Sequence, residues 1–203
     1  MTWVKVLFLY VVISIVNDST LLSLDSLKHK ATIYNLLSAY TIIEYSIFTY
    51  VLLANISNKV FRIILLVGSV LFYVFAVIYY LSVEDNSFDS LTASIEAILI
   101  VTYSIFYLFD QMNKPQVIFI YQEPNFWFVV AFIIYFSGTL FLFIQASNLD
   151  REIRDNFWKI NLFLNITKNI LFAIAFSTKK SNKLPLSPES PFEHDILENP
   201  YKT

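Results

Sequence analysis

The sequence contains no cysteine, two glycines and two histidines among its 203 residues. The lack of cysteine excludes a disulfide scaffold, a zinc site built on thiolates and a cysteine nucleophile. Two isolated glycines cannot form a glycine-rich phosphate loop, and two histidines leave little for a histidine-based metal or catalytic centre. The net charge is −2, whereas a nucleic-acid-binding protein needs a basic face. We therefore expect no cofactor, no bound metal and no nucleic-acid partner.

Charged residues are also scarce, since they make up 15% of the chain whereas hydrophobic residues make up 57%. Soluble proteins carry about 25% charged residues. A soluble domain of this size leaves much of its surface in water and could not bury so many apolar side chains. The composition predicts an integral membrane protein whose main partner is the lipid bilayer.

Five apolar stretches are long enough to cross a bilayer, whose hydrocarbon core of roughly 30 Å requires about 20 residues of helix. Short polar segments separate them. We therefore predict an all-α, polytopic transmembrane helical bundle within residues 1–178. The five stretches are Ala31–Ile56, Val60–Val83, Leu91–Met112, Phe126–Ser147 and Ile160–Ser177.

The N-terminal apolar segment, Trp3–Val16, is too short to cross by itself. It forms a sixth span if it continues past Asp18 to Leu24, and this is the interpretation we favour. Alternatively it is a signal peptide with Lys5 ahead of its apolar region, although no small-residue cleavage site follows, and the bundle then has five spans. An interfacial helix is the third interpretation.

The distribution of lysine and arginine predicts the orientation. With six spans and the N-terminus inside, more of these residues lie on the inner side than on the outer side. The positive-inside rule then places both termini in the cytoplasm. We expect a multi-pass membrane protein.

The composition changes after the last apolar stretch, because residues 179–203 contain four of the six prolines. Such a segment buries too little apolar surface to offset its chain entropy. We predict a disordered, Pro-rich cytoplasmic tail, which is either a solvated chain end or a docking segment for a cytoplasmic partner.

Three ionisable residues lie well inside the predicted spans, where a charge near the helix centre costs roughly 2.5–3.5 kcal/mol. They are Glu44, Glu96 and Lys168. Glu44 and Lys168 fall near the middle of their helices at similar depth, so we predict that they form an ion pair. Glu96 lies nearer the outer end of its helix.

Polar neighbours follow these residues at helical spacing. Asn161, Asn165 and Asn169 form a stripe with Lys168, and a polar stripe in a membrane helix is expected to face the bundle. Tyr103 lies on the same face of its helix as Glu96. The predicted intramembrane polar cluster consists of Glu44, Glu96, Lys168, Asn165, Asn169 and Tyr103.

This cluster has three explanations. Interhelical hydrogen bonds and one ion pair would hold the helices in register, or the same groups would line a small polar cavity for a ligand, a proton or a cation. Thirdly, Lys168 has the chemistry to form a Schiff base with a carbonyl chromophore, but the resemblance to a retinal protein stops at that lysine. No set of nucleophile and base is visible, so we predict no catalytic residues and no enzymatic activity.

Six sequence blocks from the second predicted span onward form a recognisable set of motifs. They are Tyr40–Tyr45, Phe88–Ser90, Ser94–Ile100, Phe126–Phe128, Tyr135–Phe143 and Asn165–Phe176. These motifs resemble those of a set of bacterial polytopic integral membrane proteins with no established activity. The resemblance implies a location in a bacterial inner membrane, and it implies that Glu44, Glu96 and Lys168 belong to the shared pattern. It also implies a membrane signalling kinase as a candidate partner.

These observations together favour a non-enzymatic sensory or accessory subunit. In this hypothesis the polar cluster senses, and the tail with the inner loops contacts a signalling kinase or another cytoplasmic partner. The alternative is a small transporter or proton-coupled channel that uses the intramembrane glutamates and lysine.

Overall fold

The structure, a computed structural model, describes residues 2–26, 30–82, 90–114, 120–146 and 151–178. Those residues form six α-helices and one 3-10 turn at Ile120–Gln122, and they contain no β-strand. The predicted tail, residues 179–203, lies outside the described residues. The helices are α1 (Thr2–Ser26), α2 (Lys30–Asn55), α3 (Lys59–Ser82), α4 (Ser90–Met112), α5 (Pro124–Ala146) and α6 (Arg151–Ser177).

Five of these helices, α2 to α6, are long and apolar enough to cross a membrane. They coincide with the five predicted stretches, which supports the assignment as a membrane protein. α1 is one continuous helix of 25 residues. The N-terminal apolar segment therefore continues past Asp18 as a helix, as the six-helix interpretation requires.

The helices pack in an order that differs from their order in the chain. α5 lies between α4 and α6, α1 packs on α2, and α2 also contacts α4. α3 contacts α2 and α4 from the edge. Its buried residues are Leu65, Ser69, Phe72 and Ala76, whose spacing of four, three and four describes one helical face. Most of the other residues of α3 are exposed and apolar, as expected for a surface in contact with lipid.

The turn between α2 and α3 is held by a carboxylate from α4. Asp110 accepts hydrogen bonds from the backbone N–H groups of Ser57 and Asn58, both at 2.9 Å, and its carboxylate lies 3.2 Å from Lys114. Asn58 in turn caps α3 by accepting a hydrogen bond from the Val60 N–H at 2.8 Å. Asp110 therefore satisfies backbone donors that a tight turn would otherwise leave unpaired.

Both glycines lie where a neighbouring helix inserts a large side chain. A Cβ atom at Gly68 would collide with the hydroxyl of Tyr103, and one at Gly138 would collide with Leu164. The glycines thus make room for side chains from α4 and α6.

Candidate functional site

Glu44 of α2 and Lys168 of α6 form a buried ion pair in the centre of the bundle. The Lys168 Nζ atom lies 3.8 Å from Glu44 Oε1, and the two residues are 1% and 5% exposed. The ion pair predicted from their similar depth is confirmed. Each charge reduces the large desolvation cost of the other, which is why the two can occur together in an apolar core.

Tyr10 of α1 joins the two charged groups. Lys168 Nζ donates to the Tyr10 hydroxyl at 2.5 Å, and this hydroxyl donates to Glu44 Oε1 at 2.5 Å. Tyr40 donates to the same hydroxyl at 3.2 Å, while the ring centroid of Tyr135 lies 4.0 Å from Lys168 Nζ in a cation–π contact. We call these five residues the Tyr10 network. It links α1, α2, α5 and α6.

The sequence analysis did not identify Tyr10 as a site residue. The signal was present, because Tyr10 is the only side chain with a hydrogen-bonding group between Lys5 and Ser14. A single hydroxyl in a long apolar run indicates a buried polar contact, but only the packing of α1 against α2 shows that its partner is Glu44.

A cavity of about 170 Å³ lies directly beside the Tyr10 network. An apolar cavity of roughly 150 Å³ holds a benzene molecule, so this volume suits a small organic molecule. α1, α2, α4, α5 and α6 line it and α3 does not. The polar lining residues outside the network are Asn17, Asp18, Thr41, Glu96, Thr139, Asn161 and Asn165.

The cavity lies in the half of the bundle that contains the C-terminal part of α1 and the N-terminal part of α2. Asp18, in the C-terminal half of α1, lines the cavity and is exposed. Asn161 lies two turns before Lys168, towards the same end of the bundle. In the orientation predicted from the charge distribution, this is the outer end.

Several polar oxygens that line the cavity have no hydrogen-bond partner within the described part of the chain. Glu96 Oε1 is one of them, and Glu96 is 3% exposed. The others are the amide oxygens of Asn17, Asn161 and Asn165. Buried polar atoms are usually paired, and each exception requires an explanation. Four of the eight such side-chain atoms in the described residues belong to residues that line this one cavity.

A layer of packed aromatic rings lies on the other side of the Tyr10 network. Phe48 follows Glu44 by one turn, and Phe172 follows Lys168 by one turn. The Phe132 ring lies 4.3 Å from that of Phe48 and 5.9 Å from that of Phe172, measured between centroids. Phe128 and Phe172 are 5.3 Å apart. We call Phe48, Phe128, Phe132 and Phe172 the aromatic layer; none of them lines the cavity.

The structure brings four of the six predicted cluster residues together. Glu44, Glu96 and Asn165 line the cavity, and Lys168 pairs with Glu44 beside it. Three helices, α2, α4 and α6, supply them. The pairing of Glu44 with Lys168 is what the sequence analysis expected from the equal depth of these two residues.

Tyr103 belongs to a different group, and this corrects the prediction. Its hydroxyl lies 3.4 Å from that of Tyr45, which donates to Ser69 Oγ at 2.9 Å. Tyr103 follows Glu96 by two turns, or about 10 Å. At that depth its face of α4 meets α2 and α3, whereas Glu96 meets the cavity.

Asn169 was wrongly assigned to the buried stripe. It is exposed on the surface of α6. Because consecutive residues of a helix differ by about 100° in direction, burial of Lys168 turns Asn169 away from the bundle. Asn161 and Asn165, seven and three residues before Lys168, keep the inward direction.

Comparisons of the chain with protein-family models, with curated proteins and with solved structures find no match. Among the described residues, no group of three or more His, Cys, Asp or Glu side chains is arranged to hold a metal ion. The geometry therefore defines an α-helical bundle of membrane type with a polar cavity that ends at a buried ion pair.

Proposed function

We propose that the protein is a non-enzymatic sensory or accessory subunit of a bacterial inner membrane, built from six membrane helices with both termini in the cytoplasm. In this proposal the cavity binds a small ligand from the outer side. The observation that supports it most strongly is the shape of the cavity, which is open beside Asp18 and ends at the Tyr10 network.

A cavity that is closed at its inner end favours binding over transport. A transported molecule would have to pass the Glu44–Lys168 pair and then the aromatic layer, in which the buried Phe132 ring packs against both Phe48 and Phe172. Packed cores of this density do not deform continuously, and they pass ligands only by switching to a second arrangement. A receptor needs no such passage.

The Tyr10 network offers a way to convert binding into a helix movement. A ligand that donates a hydrogen bond to Glu44 competes with Tyr10 and Lys168 for the same carboxylate. Loss of these two contacts weakens the links of α2 to α1 and to α6. α6 ends at Ser177, directly before the tail, so its displacement reaches the proposed contact with a signalling partner.

The two threonine hydroxyls that line the cavity fit the non-enzymatic role in this proposal. Thr41 donates to the Leu37 carbonyl at 3.1 Å, and Thr139 donates to the Tyr135 carbonyl at 2.9 Å. Both hydroxyls are therefore bound to their own helices. A nucleophilic hydroxyl instead requires an adjacent general base that removes its proton.

A small transporter or proton-coupled channel is the second candidate. One observation favours it, because Glu96 is a buried carboxyl group with an unpaired oxygen in the same cavity as Glu44. Buried carboxyl groups of this kind carry protons in pumps and transporters. This candidate requires the aromatic layer to open during each cycle.

Thiol labelling of single-cysteine variants distinguishes the two candidates. The chain has no cysteine, so Asn161→Cys introduces one reactive thiol into the cavity. We expect a charged, membrane-impermeant methanethiosulfonate to modify it from the outer face of oriented vesicles only, because the network and the aromatic layer block the other side. The extent of labelling is measured by mass spectrometry.

Two matched variants calibrate that experiment. Lys59→Cys lies at the exposed start of α3, at the opposite end of the bundle, and should react from the inner face only. Ile170→Cys lies on the exposed apolar surface of α6 and should react from neither face. Labelling of Asn161→Cys from both faces would show that the inner end of the cavity is not closed, and it would favour transport. Proton or cation flux in proteoliposomes would also favour transport.

The proposed partner contact is tested by deleting residues 179–203. We expect the truncated protein to lose cross-linking to a co-expressed membrane kinase from its host. Its thermal unfolding midpoint in detergent should stay unchanged, because a Pro-rich segment of this composition buries too little apolar surface to stabilise the bundle. Undiminished cross-linking of the truncated chain would exclude the tail as the docking segment.

A further inference from the structure

We propose that the cavity binds a small organic cation that carries a primary ammonium group. This assignment rests on the proposed ligand-binding function and names the chemical class of the ligand. It follows from the charges, the unpaired oxygens and the size of the cavity.

The charges around the cavity favour a cation. Asp18, Glu44 and Glu96 line it, and the nearby cation, Lys168, already donates to Tyr10 and pairs with Glu44. With its carboxyl groups ionised, the site carries more negative than positive charge. An anionic ligand would meet these carboxylates with no uncommitted cation among the described lining residues, and repulsion between like charges is strong in an apolar core.

The unpaired atoms specify a hydrogen-bond donor. Glu96 is 97% buried, as its 3% exposure implies, and its Oε1 atom has no hydrogen-bond partner within the described residues. A carboxylate only accepts hydrogen bonds, whereas an ammonium group has three donors and no acceptor. An ammonium group beside Glu96 would supply the missing partner and the opposite charge.

Asparagine oxygens supply the remaining acceptors. Asn17, Asn161 and Asn165 each have a buried Oδ1 atom without a partner in the described part of the chain, and all three line the same cavity. Together with Glu96 Oε1 they supply four unpaired acceptors around one cavity, and an ammonium group has three donors to offer them. A ligand with a single donor would leave most of these oxygens unpaired.

The rest of the cavity determines the size and polarity of the ligand. Its volume of about 170 Å³ resembles that of a cavity that holds benzene. The side chains of Leu21, Leu37 and Phe143 provide apolar lining, which suits a short alkyl chain. A bare divalent metal ion is disfavoured, because no three-ligand group exists among the described residues.

A primary ammonium group has two sources at a membrane surface. It occurs in free amines of the surrounding medium and in the headgroup of phosphatidylethanolamine. Both would enter at the exposed mouth beside Asp18, and the chemistry of recognition is the same.

The test uses the full-length protein, purified in an amine-free detergent and phosphate buffer. Butylammonium, ethanolamine, 1-butanol and butyrate are titrated separately, and the midpoint of thermal unfolding is followed. We expect stabilisation by the two ammonium compounds only. Vesicles of phosphatidylethanolamine are compared with vesicles of phosphatidylglycerol, and stabilisation by the former without any by free amines would identify the lipid headgroup as the source.

The variant Glu96→Gln removes the negative charge and keeps the shape. We expect it to weaken ammonium binding roughly 10- to 100-fold, which corresponds to the loss of one charge-assisted hydrogen bond. Glu123→Gln, outside the cavity at the start of α5, is the matched control and should bind normally. Asn165→Ala provides a second cavity variant in case Glu96→Gln does not fold.

Stabilisation by butyrate or by 1-butanol equal to that by butylammonium would overturn the assignment. Unchanged ammonium binding by both cavity variants would also overturn it, as would the absence of any response to amines and to phosphatidylethanolamine. These failures remain distinct from failure of the proposed function, because one-sided labelling of Asn161→Cys tests, without any ligand, whether the inner end of the cavity is closed.

Discussion

Replacement of Lys168 by methionine is expected to destabilise the bundle by about 3–5 kcal/mol. Methionine fills a similar volume, but the change leaves Glu44 buried without its opposite charge and removes one of the two donors to the Tyr10 hydroxyl, the other being Tyr40. An uncompensated charge in an apolar core is the main source of this cost. The measurement is thermal unfolding in detergent, together with the amount of protein in the membrane.

The double variant Glu44→Gln, Lys168→Met should recover most of the lost stability. It removes both charges, so no uncompensated ion remains, and glutamine still accepts a hydrogen bond from Tyr10. Replacement of a whole buried ion pair by neutral residues is often nearly neutral or stabilising. The control Lys59→Met removes an exposed lysine and should have little effect.

The outcome separates two roles for the Glu44–Lys168 pair. Loss of folding in the single variant and recovery in the double variant indicate a pair that holds α2 and α6 together. Normal folding of both variants, with loss of a signalling or transport response, would instead contradict the structural role and assign the pair to ligand response.

Replacement of Phe132 by alanine should cost on the order of 2–3 kcal/mol. A phenylalanine-to-alanine change in a soluble core costs about 3–5 kcal/mol, part of which is transfer out of water. In a membrane the transfer contribution largely disappears, because lipid tails are as apolar as the core. The free-energy cost of the lost packing remains. Phe132 is fully buried between Phe48 and Phe172, so the packing loss is large.

The same variant tests whether the aromatic layer closes the inner end of the cavity. Removing the Phe132 ring opens the aromatic layer beneath the Tyr10 network, so Asn161→Cys combined with Phe132→Ala should become reactive from both faces of the vesicle. Phe163→Ala, on the exposed surface of α6, is the matched control and should change neither stability nor labelling. If labelling stays one-sided in the Phe132 variant, the layer is not the barrier.

The helices and the depth of their charges followed from local patterns. Five apolar stretches of sufficient length predicted α2 to α6 because a membrane helix satisfies its own backbone and needs a fixed number of residues to cross. Counting residues along two of those helices placed Glu44 and Lys168 at equal depth. Rise per residue is a property of one helix, so this ion pair was predictable.

The neighbours of these charges were decided by the tertiary structure. Helical periodicity alone does not say which helix faces which, or how far each is rotated. For that reason Tyr103, on the same face as Glu96, joined Tyr45 and Ser69 instead, and Asn169 turned outward.

The sequence by itself determined a membrane-type helical bundle and the three residues whose charges need an explanation, since both depend on composition and on distances along single helices. The tertiary structure alone decided that Tyr10 bridges Glu44 and Lys168, and that an open cavity with unpaired oxygens lies on one side of them. The physical reason is that a cavity belongs to no single helix. It is the space left where five helices pack, and its shape depends on their relative rotation.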